Sequence, residues 1–335
     1  MRAENARSRG EASMSMPRRA ALAAMATAAL LPGVAAAQGG AQPIRMVCGS
    51  SPSSITDLIA RIVQPGLAQR LGQAVVVDNR PGAGGNLAVE FLTRAAPDGQ
   101  TLMLLSGGIV TLNPHLFRNL PFDPVRDIRL VSRITAGGFL LAVPAATGVR
   151  DVDGLVAHLR RKGDAANYGS PGIGFAMHVG AEIFLNAVGA RATHVPYRGS
   201  AAAMNGLVAG EVDFLFDSRG PLAPHLESGQ VRVIANGGSV PDLAYPDLPL
   251  LSARYPEVVV QSWTALAAPA RLPEPQLQRL DAAMRATLAE PEVTERLRQV
   301  GNGPAYLGPE ELSRFFADER ARAARGVAVA GLHPQ

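Results

Sequence analysis

The chain has 335 residues, a formal net charge of +4, 47% hydrophobic and 5% aromatic residues, and one cysteine, Cys48. A lone cysteine excludes an intramolecular disulfide and any cysteine-cluster metal site. Residues 1–37 hold five arginines and two glutamates, so the rest is nearly neutral; without a basic run or an aromatic-interleaved basic stripe, it offers no footprint for nucleic acid.

Pro17-Arg18-Arg19 leads into the apolar run Ala20–Leu31, then Pro32-Gly33 and Ala35-Ala36-Ala37. A positive flank, a short apolar core and small residues at a cleavage site make a secretory signal peptide. The run is shorter than the about 20 residues a lasting membrane anchor needs. Cleavage after Ala37 starts the mature chain at Gln38, and the expected location is the periplasm. The remaining length suggests roughly two domains.

From Ile44 onward, strands and helices alternate. The pattern predicts a strand at Ile44–Gly49, a helix at Ile55–Leu71, a strand at Ala74–Asp78, a helix at Gly85–Ala95 and a strand at Thr101–Ser106. The second half repeats the scheme: strand Phe139–Val143, helix Val152–Arg161, strand Asn167–Gly169, helix Phe175–Val188, strand Ala192–Val195, helix Ser200–Val208 and strand Val212–Phe216. Strand Val231–Ala235 precedes an irregular Pro-rich stretch through Pro256. Strand Trp263–Ala268 and helices Glu274–Ala289, Glu292–Val300 and Pro309–Ala324 complete the series. Continuous apolar strands separated by helices indicate βαβ units and parallel sheets covered on both faces, an α/β fold. In the last helix, Glu310, Glu311, Arg314, Asp318, Glu319 and Arg322 are expected to face water, and Leu312, Phe315 and Phe316 to face in.

Several chemistries are missing. The single lysine, Lys162, lies in no phosphate-binding loop, and the sequence contains no His-Glu-x-x-His or Gly-x-Ser-x-Gly. The six histidines are scattered, with no pair four residues apart. In Gly82-Ala83-Gly84-Gly85-Asn86-Leu87 a leucine occupies the third glycine position of a dinucleotide fingerprint, and no acidic residue follows at the expected distance. No catalytic residue, metal ligand or cofactor is expected.

Two strand-to-helix loops are suited to an anion. One is Cys48-Gly49-Ser50-Ser51-Pro52-Ser53-Ser54-Ile55-Thr56-Asp57, the other Tyr168-Gly169-Ser170-Pro171-Gly172-Ile173-Gly174-Phe175. The first turn of a helix carries unpaired N–H groups with the helix dipole behind them, small residues allow close approach, and serines add donors. The other reading of each loop is a plain tight turn. At the carboxyl ends of strands in two α/β lobes, such loops would face one another across a crevice.

Further stretches carry a family resemblance: Asp78-Asn79-Arg80-Pro81-Gly82-Ala83-Gly84-Gly85, Ala96-Pro97-Asp98-Gly99-Gln100-Thr101-Leu102, Asn113-Pro114, Pro121-Phe122-Asp123, Ser170-x-Gly-x-Gly with His178 and Glu182, His194-Val195-Pro196-Tyr197-Arg198-Gly199, Gly210-Glu211-Val212-Asp213, and Trp263 before Ala268-Pro269. With these in order, the chain resembles the Bug-type extracytoplasmic solute receptors, the binding components of tripartite tricarboxylate transporters. The resemblance implies a type II periplasmic-binding-protein fold: two Rossmann-like lobes joined by two crossover strands, lobe 1 from residues 38–140 plus 265–335 and lobe 2 from 141–264. It also implies a ligand pinched between the two loops, giving candidate ligand-binding residues Ser53, Ser54, Asp57, Ser170, Gly172, Gly174 and Phe175, with Ser106 and Asp217 at the ends of two further strands. Asn79, Arg80 and the His194–Gly199 segment are expected to be structural, and His178 to cap or pack. Two departures stand out: Ser53-Ser54 replace the family's usual Gly-Gly, and Phe175 replaces its usual Ser or Thr. They point away from a simple dicarboxylate and toward a monocarboxylate with an apolar or aromatic part packed on Phe175. The implied partners are a small carboxylate and, transiently, membrane permease subunits, with a monomeric receptor and no nucleic acid. The alternative is a sensor that presents its loaded form to a membrane signalling partner.

Overall fold

The computed structural model describes residues 42–242 and 244–334, so the expected leader lies outside the described residues. Eleven strands form two sheets among these residues. The first sheet contains β1 (Ile44–Cys48), β2 (Val75–Asn79), β3 (Thr101–Ser106), β4 (Ile128–Gly138), β10 (Gln261–Pro269) and β11 (Gly303–Leu307), in the order β11-β4-β10-β3-β1-β2. The second contains β5 (Leu140–Pro144), β6 (Asn167–Ser170), β7 (Thr193–Pro196), β8 (Phe214–Asp217) and β9 (Val231–Asn236), in the order β7-β6-β8-β5-β9.

Both sheets are mixed, which corrects the all-parallel expectation. β1, β2 and β3 run parallel, while β10 pairs antiparallel with β3 and β4, and β11 antiparallel with β4. In the second sheet β6 is parallel to β7 and β8, and β5 is antiparallel to β8 and β9. The reversals arise where the chain passes from one sheet to the other.

The helices are α1 (Ile55–Leu71), α2 (Asn86–Thr93), α3 (Gly107–Thr111), α4 (Asn113–Leu116), α5 (Val152–Lys162), α6 (Ala176–Val188), α7 (Ser200–Ala209), α8 (Arg219–Glu227), α9 (Leu251–Arg254), α10 (Glu274–Leu288), α11 (Pro291–Gln299) and α12 (Pro309–Val329). α1 shows the local logic. Ser54 in extended conformation accepts from the Asp57 N–H (3.3 Å), and Gly72 closes the other end in the left-handed conformation. Each sheet is covered on both faces. In the first sheet, α1 and α10 share one core and α2, Trp263 and α12 the other. In the second, α5 and α6 cover one face and α7 and α8 the other.

The two passages between the sheets are tied together. Phe139 N–H donates to Val260 O (2.9 Å), Val260 N–H to Gly237 O (2.7 Å), and Gly237 N–H to Phe139 O (2.9 Å). The chains approach so closely that a Cβ on Gly138 would lie 2.5 Å from the Gly238 nitrogen. The expected lobe boundaries fall at the start of β5 (140/141) and inside β10 (264/265). Helix α12 packs on the first sheet through Leu312 and Phe316, and on α6 through Ala323 and Val327 against Val179.

Glu319 departs from the expected pattern of α12. Its carboxylate turns inward and accepts from Trp263 Nε1 (3.2 Å) and Gln261 Nε2 (3.3 Å), and it pairs with Arg322. Burial pushes its pKa up. The helix stripe predicts a solvated residue there, but the indole N–H of a buried Trp needs an acceptor, and Glu319 supplies it.

Candidate functional site

Among the helices that begin at the carboxyl ends of strands along the facing edges of the two sheets are α1 after β1, α6 after β6, α7 after β7 and α8 after β8. The edges meet where a Cβ on Gly174, in the second sheet's β6–α6 loop, would lie 2.7 Å from Leu116 of α4. Each helix start presents N–H groups with no partner in their own helix, and the dipoles add a positive potential. The arrangement suits an anion without any basic patch.

The first loop, Ser50–Asp57, is braced by a charge. Ser53 takes a left-handed conformation at φ 65°, which costs a β-carbon-bearing residue energy. Its N–H donates to Asp57 Oδ2 (2.9 Å), and Arg61 Nε donates to both carboxylate oxygens at 3.1 and 3.0 Å. Ser50 and Ser54 hydroxyls lie 2.6 Å apart, and Asn79 Nδ2 donates to Ser50 O (3.1 Å) while its Oδ1 accepts from Arg61. The Arg61 guanidinium holds the Asp57 carboxyl below the ordinary range. Asp57, expected as a ligand contact, therefore has its carboxylate committed to the loop itself. Asp57 is buried, Ser53 is exposed and Ser54 is partly exposed.

The second loop is braced by neutral rings. Ser170 is completely buried. Its hydroxyl donates to Gly172 O (3.0 Å), accepts from Gly172 N–H (3.2 Å) and lies 2.7 Å from His194 Nε2. At the other end of the loop, Gly174 N–H donates to His178 Nδ1 (3.0 Å). The two imidazoles stack with centroids 3.8 Å apart and planes 10° apart, and Tyr168 stacks on His194 at 4.9 Å. Burial pushes both histidines down to about 4, so both are neutral at pH 7. Ser170, also expected at the ligand, has its hydroxyl turned into the loop. Gly172 (φ 156°) and Gly174 (φ 80°) hold conformations that side chains rarely adopt.

Phe175 is 53% exposed and its neighbour Ile173 55%. The Phe175 ring lies over Gly172, where a Cβ would approach it to 3.1 Å. Phe175 occupies the N-cap of α6 without a side-chain cap, which leaves the first-turn N–H groups uncapped from that side. Ser106 ends β3 opposite Thr264 and N-caps α3 without a cap hydrogen bond. The next residue, Gly107, lies flat on the Trp263 indole, since a Cβ there would come within 2.2 Å of Cε2. Asp217 ends β8 and is buried, with Ser200 and Ser218 on its Oδ1.

The structure thus places the nine expected residues along the two facing edges. It adds braces that sequence reading missed as site elements: Arg61 and Asn79 under the first loop, His194 under the second, and Ser200 and Ser218 around Asp217. Asn79 follows a strand and His194 lies 24 residues after Ser170, so no local spacing marks them. His178 caps the second loop, as expected. Among the described residues, no group of three or more His, Cys, Asp or Glu is placed to hold a metal ion.

Known proteins share this chain's sequence pattern and fold. Residues 59–332 match the family model described as the tripartite tricarboxylate transporter family receptor. A UPF0065 protein of Bordetella pertussis is 32% identical over 93% of this chain and 97% of its own. The R. palustris protein Rpa4515, solved with adipate, superposes with a TM-score of 0.74 at 29% identity, over 88% of this chain and all of that one. The periplasmic binding protein BugD superposes with a TM-score of 0.70 at 27% identity, over 88% and 99% of the two chains. The fold is that of the two-lobed periplasmic solute-binding proteins.

Proposed function

Because this chain belongs to the tripartite tricarboxylate transporter receptor family, we propose that it captures a small carboxylate in the periplasm and hands it to membrane permease subunits. The lobes that close on the ligand are residues 38–140 plus 265–335 and residues 141–264, hinged at the Phe139, Gly237 and Val260 hydrogen bonds. The observation that carries this reading is the convergence of helix starts behind two independently braced loops. Adipate in Rpa4515 supports a carboxylate as the bound class.

The ligand's apolar or aromatic part packs on Phe175, whose ring is half exposed beside Ile173. Ser53 and Ser54 supply hydroxyls, and Gly172 and Gly174 let the backbone approach, while Asp57 and Ser170 keep the loops in shape. The receptor returns its ligand unchanged and works as a monomer.

A thermal-shift and calorimetric panel of short dicarboxylates, aliphatic monocarboxylates and aromatic acids tests this. At 100 times its dissociation constant, a ligand stabilises the protein by about 2.7 kcal/mol. Response to aromatic or apolar monocarboxylates is expected, weakened by Phe175→Ser. Tight binding of short dicarboxylates with no response to aromatic acids overturns the Phe175 assignment. No response to any carboxylate overturns the receptor reading.

A further inference from the structure

Asp217 carries a buried oxygen that nothing in the protein satisfies. It is the last residue of β8, opposite Leu140 at the start of β5, on the sheet edge that faces the other lobe. Side chains alternate along a strand, so Asp217 shares a face with Leu215, the face covered by α7 and α8. It therefore lies beneath the N-terminal ends of both helices and is 0% exposed.

The two carboxylate oxygens differ. Oδ1 accepts from Ser200 Oγ (3.1 Å), Ser218 N–H (2.7 Å) and Ser218 Oγ (3.3 Å). Oδ2 is buried and has no partner. Among the described residues no cation acts on this group, and burial raises its pKa. Burying an acceptor without a donor costs free energy, so buried polar atoms in native proteins are almost always paired. Oδ2 is the one buried side-chain oxygen or nitrogen left without a partner among the described residues.

We infer that the missing donor comes from the ligand: the carboxylate taken by this receptor also bears a hydroxyl or an ammonium group, which donates to Asp217 Oδ2. The inference rests on the carboxylate reading above and narrows it. For this, the ligand's donor must reach Oδ2 at the end of β8 that faces the other lobe, where it completes the set that Ser200 and Ser218 begin. A site built to pair with a donor rejects the analogue that lacks it, because its own buried acceptor is then left unpaired.

The test is calorimetry on the mature protein with pairs that differ by one donor: malate and aspartate against succinate, mandelate against phenylacetate, and phenylalanine against 3-phenylpropanoate. The hydroxyl and ammonium arms identify which donor is read. The donor-bearing member of at least one pair is expected to bind at least about tenfold tighter, and Asp217→Asn to bring that pair within about threefold. Ser200→Ala, which removes a donor from Oδ1 alone, should keep the preference; if Asp217→Asn fails to fold, the pairs measured on the unaltered protein decide. Equal affinity within every pair in the unaltered protein, or a preference untouched by Asp217→Asn, overturns the inference and leaves the carboxylate reading standing. Binding of no member of any pair overturns that reading itself.

Discussion

The two loops of the cleft are alike in outline and opposite in construction. Each follows a strand, opens a helix, and uses residues in unusual backbone conformations. The Ser50–Asp57 loop is held by an ionised carboxylate, with Arg61 on one side of Asp57 and the Ser53 N–H on the other. The Ser170–Gly174 loop is held by two uncharged imidazoles, His194 on the Ser170 hydroxyl and His178 on the Gly174 N–H. The same local task, holding a strand-to-helix loop in shape, is met by opposite electrostatics. One brace adds negative charge behind its loop and offsets it with arginine; the other adds none. The difference shows that in both loops side chains with functional chemistry serve the backbone.

Breaking the charged brace should have the largest effect. Asp57→Ala leaves the Ser53 N–H and Arg61 without their acceptor, and hydrogen bonds to charged groups are the strong ones; ligand affinity is expected to fall on the order of 100-fold by calorimetry. Breaking the neutral brace costs less. His194→Ala frees the Ser170 hydroxyl but leaves its bonds to Gly172, so a loss of about tenfold is expected, with a lowered melting temperature.

Acid should separate the two loops without mutation. The histidines sit at about 4 in the folded protein, against about 6.5 when unfolded. The unfolded chain therefore binds more protons between those values, and stability falls as pH drops from about 6.5 toward 4, with no contribution from this pair above that window. Protonating His178 Nδ1 also sets a donor against the Gly174 N–H. Asp57 has a lowered pKa, so its stabilisation is present above its unfolded value near 3.8 and is lost only as pH falls below it. Histidine NMR shifts followed alongside melting should show the second loop changing first. The reverse order breaks the comparison.

The smallest effect is expected from Ser53→Gly. The left-handed strain is relieved, while the unfolded chain gains freedom that offsets part of the gain. The net change should be below about 1 kcal/mol, a rise of at most a few degrees in melting temperature.

Much of this architecture was legible in residue patterns. α1 and β3 lie where periodicity put them, Ile55–Leu71 and Thr101–Ser106, because caps and apolar runs are local signals. Several elements were not foreseen, three of them instructive. β4 (Ile128–Gly138) ends in Gly-Gly and bends across to the next sheet, so its short alternation does not read as a long strand. β11 (Gly303–Leu307) is a half-buried edge strand containing Pro304. α8 (Arg219–Glu227) carries Pro221 and Pro224, and proline argues against a helix until tertiary packing overrides it. For the candidate site, sequence pointed to two strand-to-helix loops and missed what holds them. Asp57 and Ser170 have the chemistry of ligand contacts, and their partners at 3 Å or less show that the same groups brace the loops.

The order of strands also bears on how the chain assembles. The second sheet is encoded in one stretch, Leu140–Asn236, and can be completed as soon as that stretch has emerged. The first sheet cannot, because β10 lies between β3 and β4 and is made more than 120 residues after either. Until Gln261–Pro269 arrives, β3 and β4 each present an unpaired edge, the kind of surface on which chains stick to one another. Insertion of β10 is thus a late, long-range step, which slows folding and leaves the nascent protein exposed to aggregation. A chain cut short before residue 261 would have one finished sheet, while the other would keep β3-β1-β2 and leave β4 without a partner.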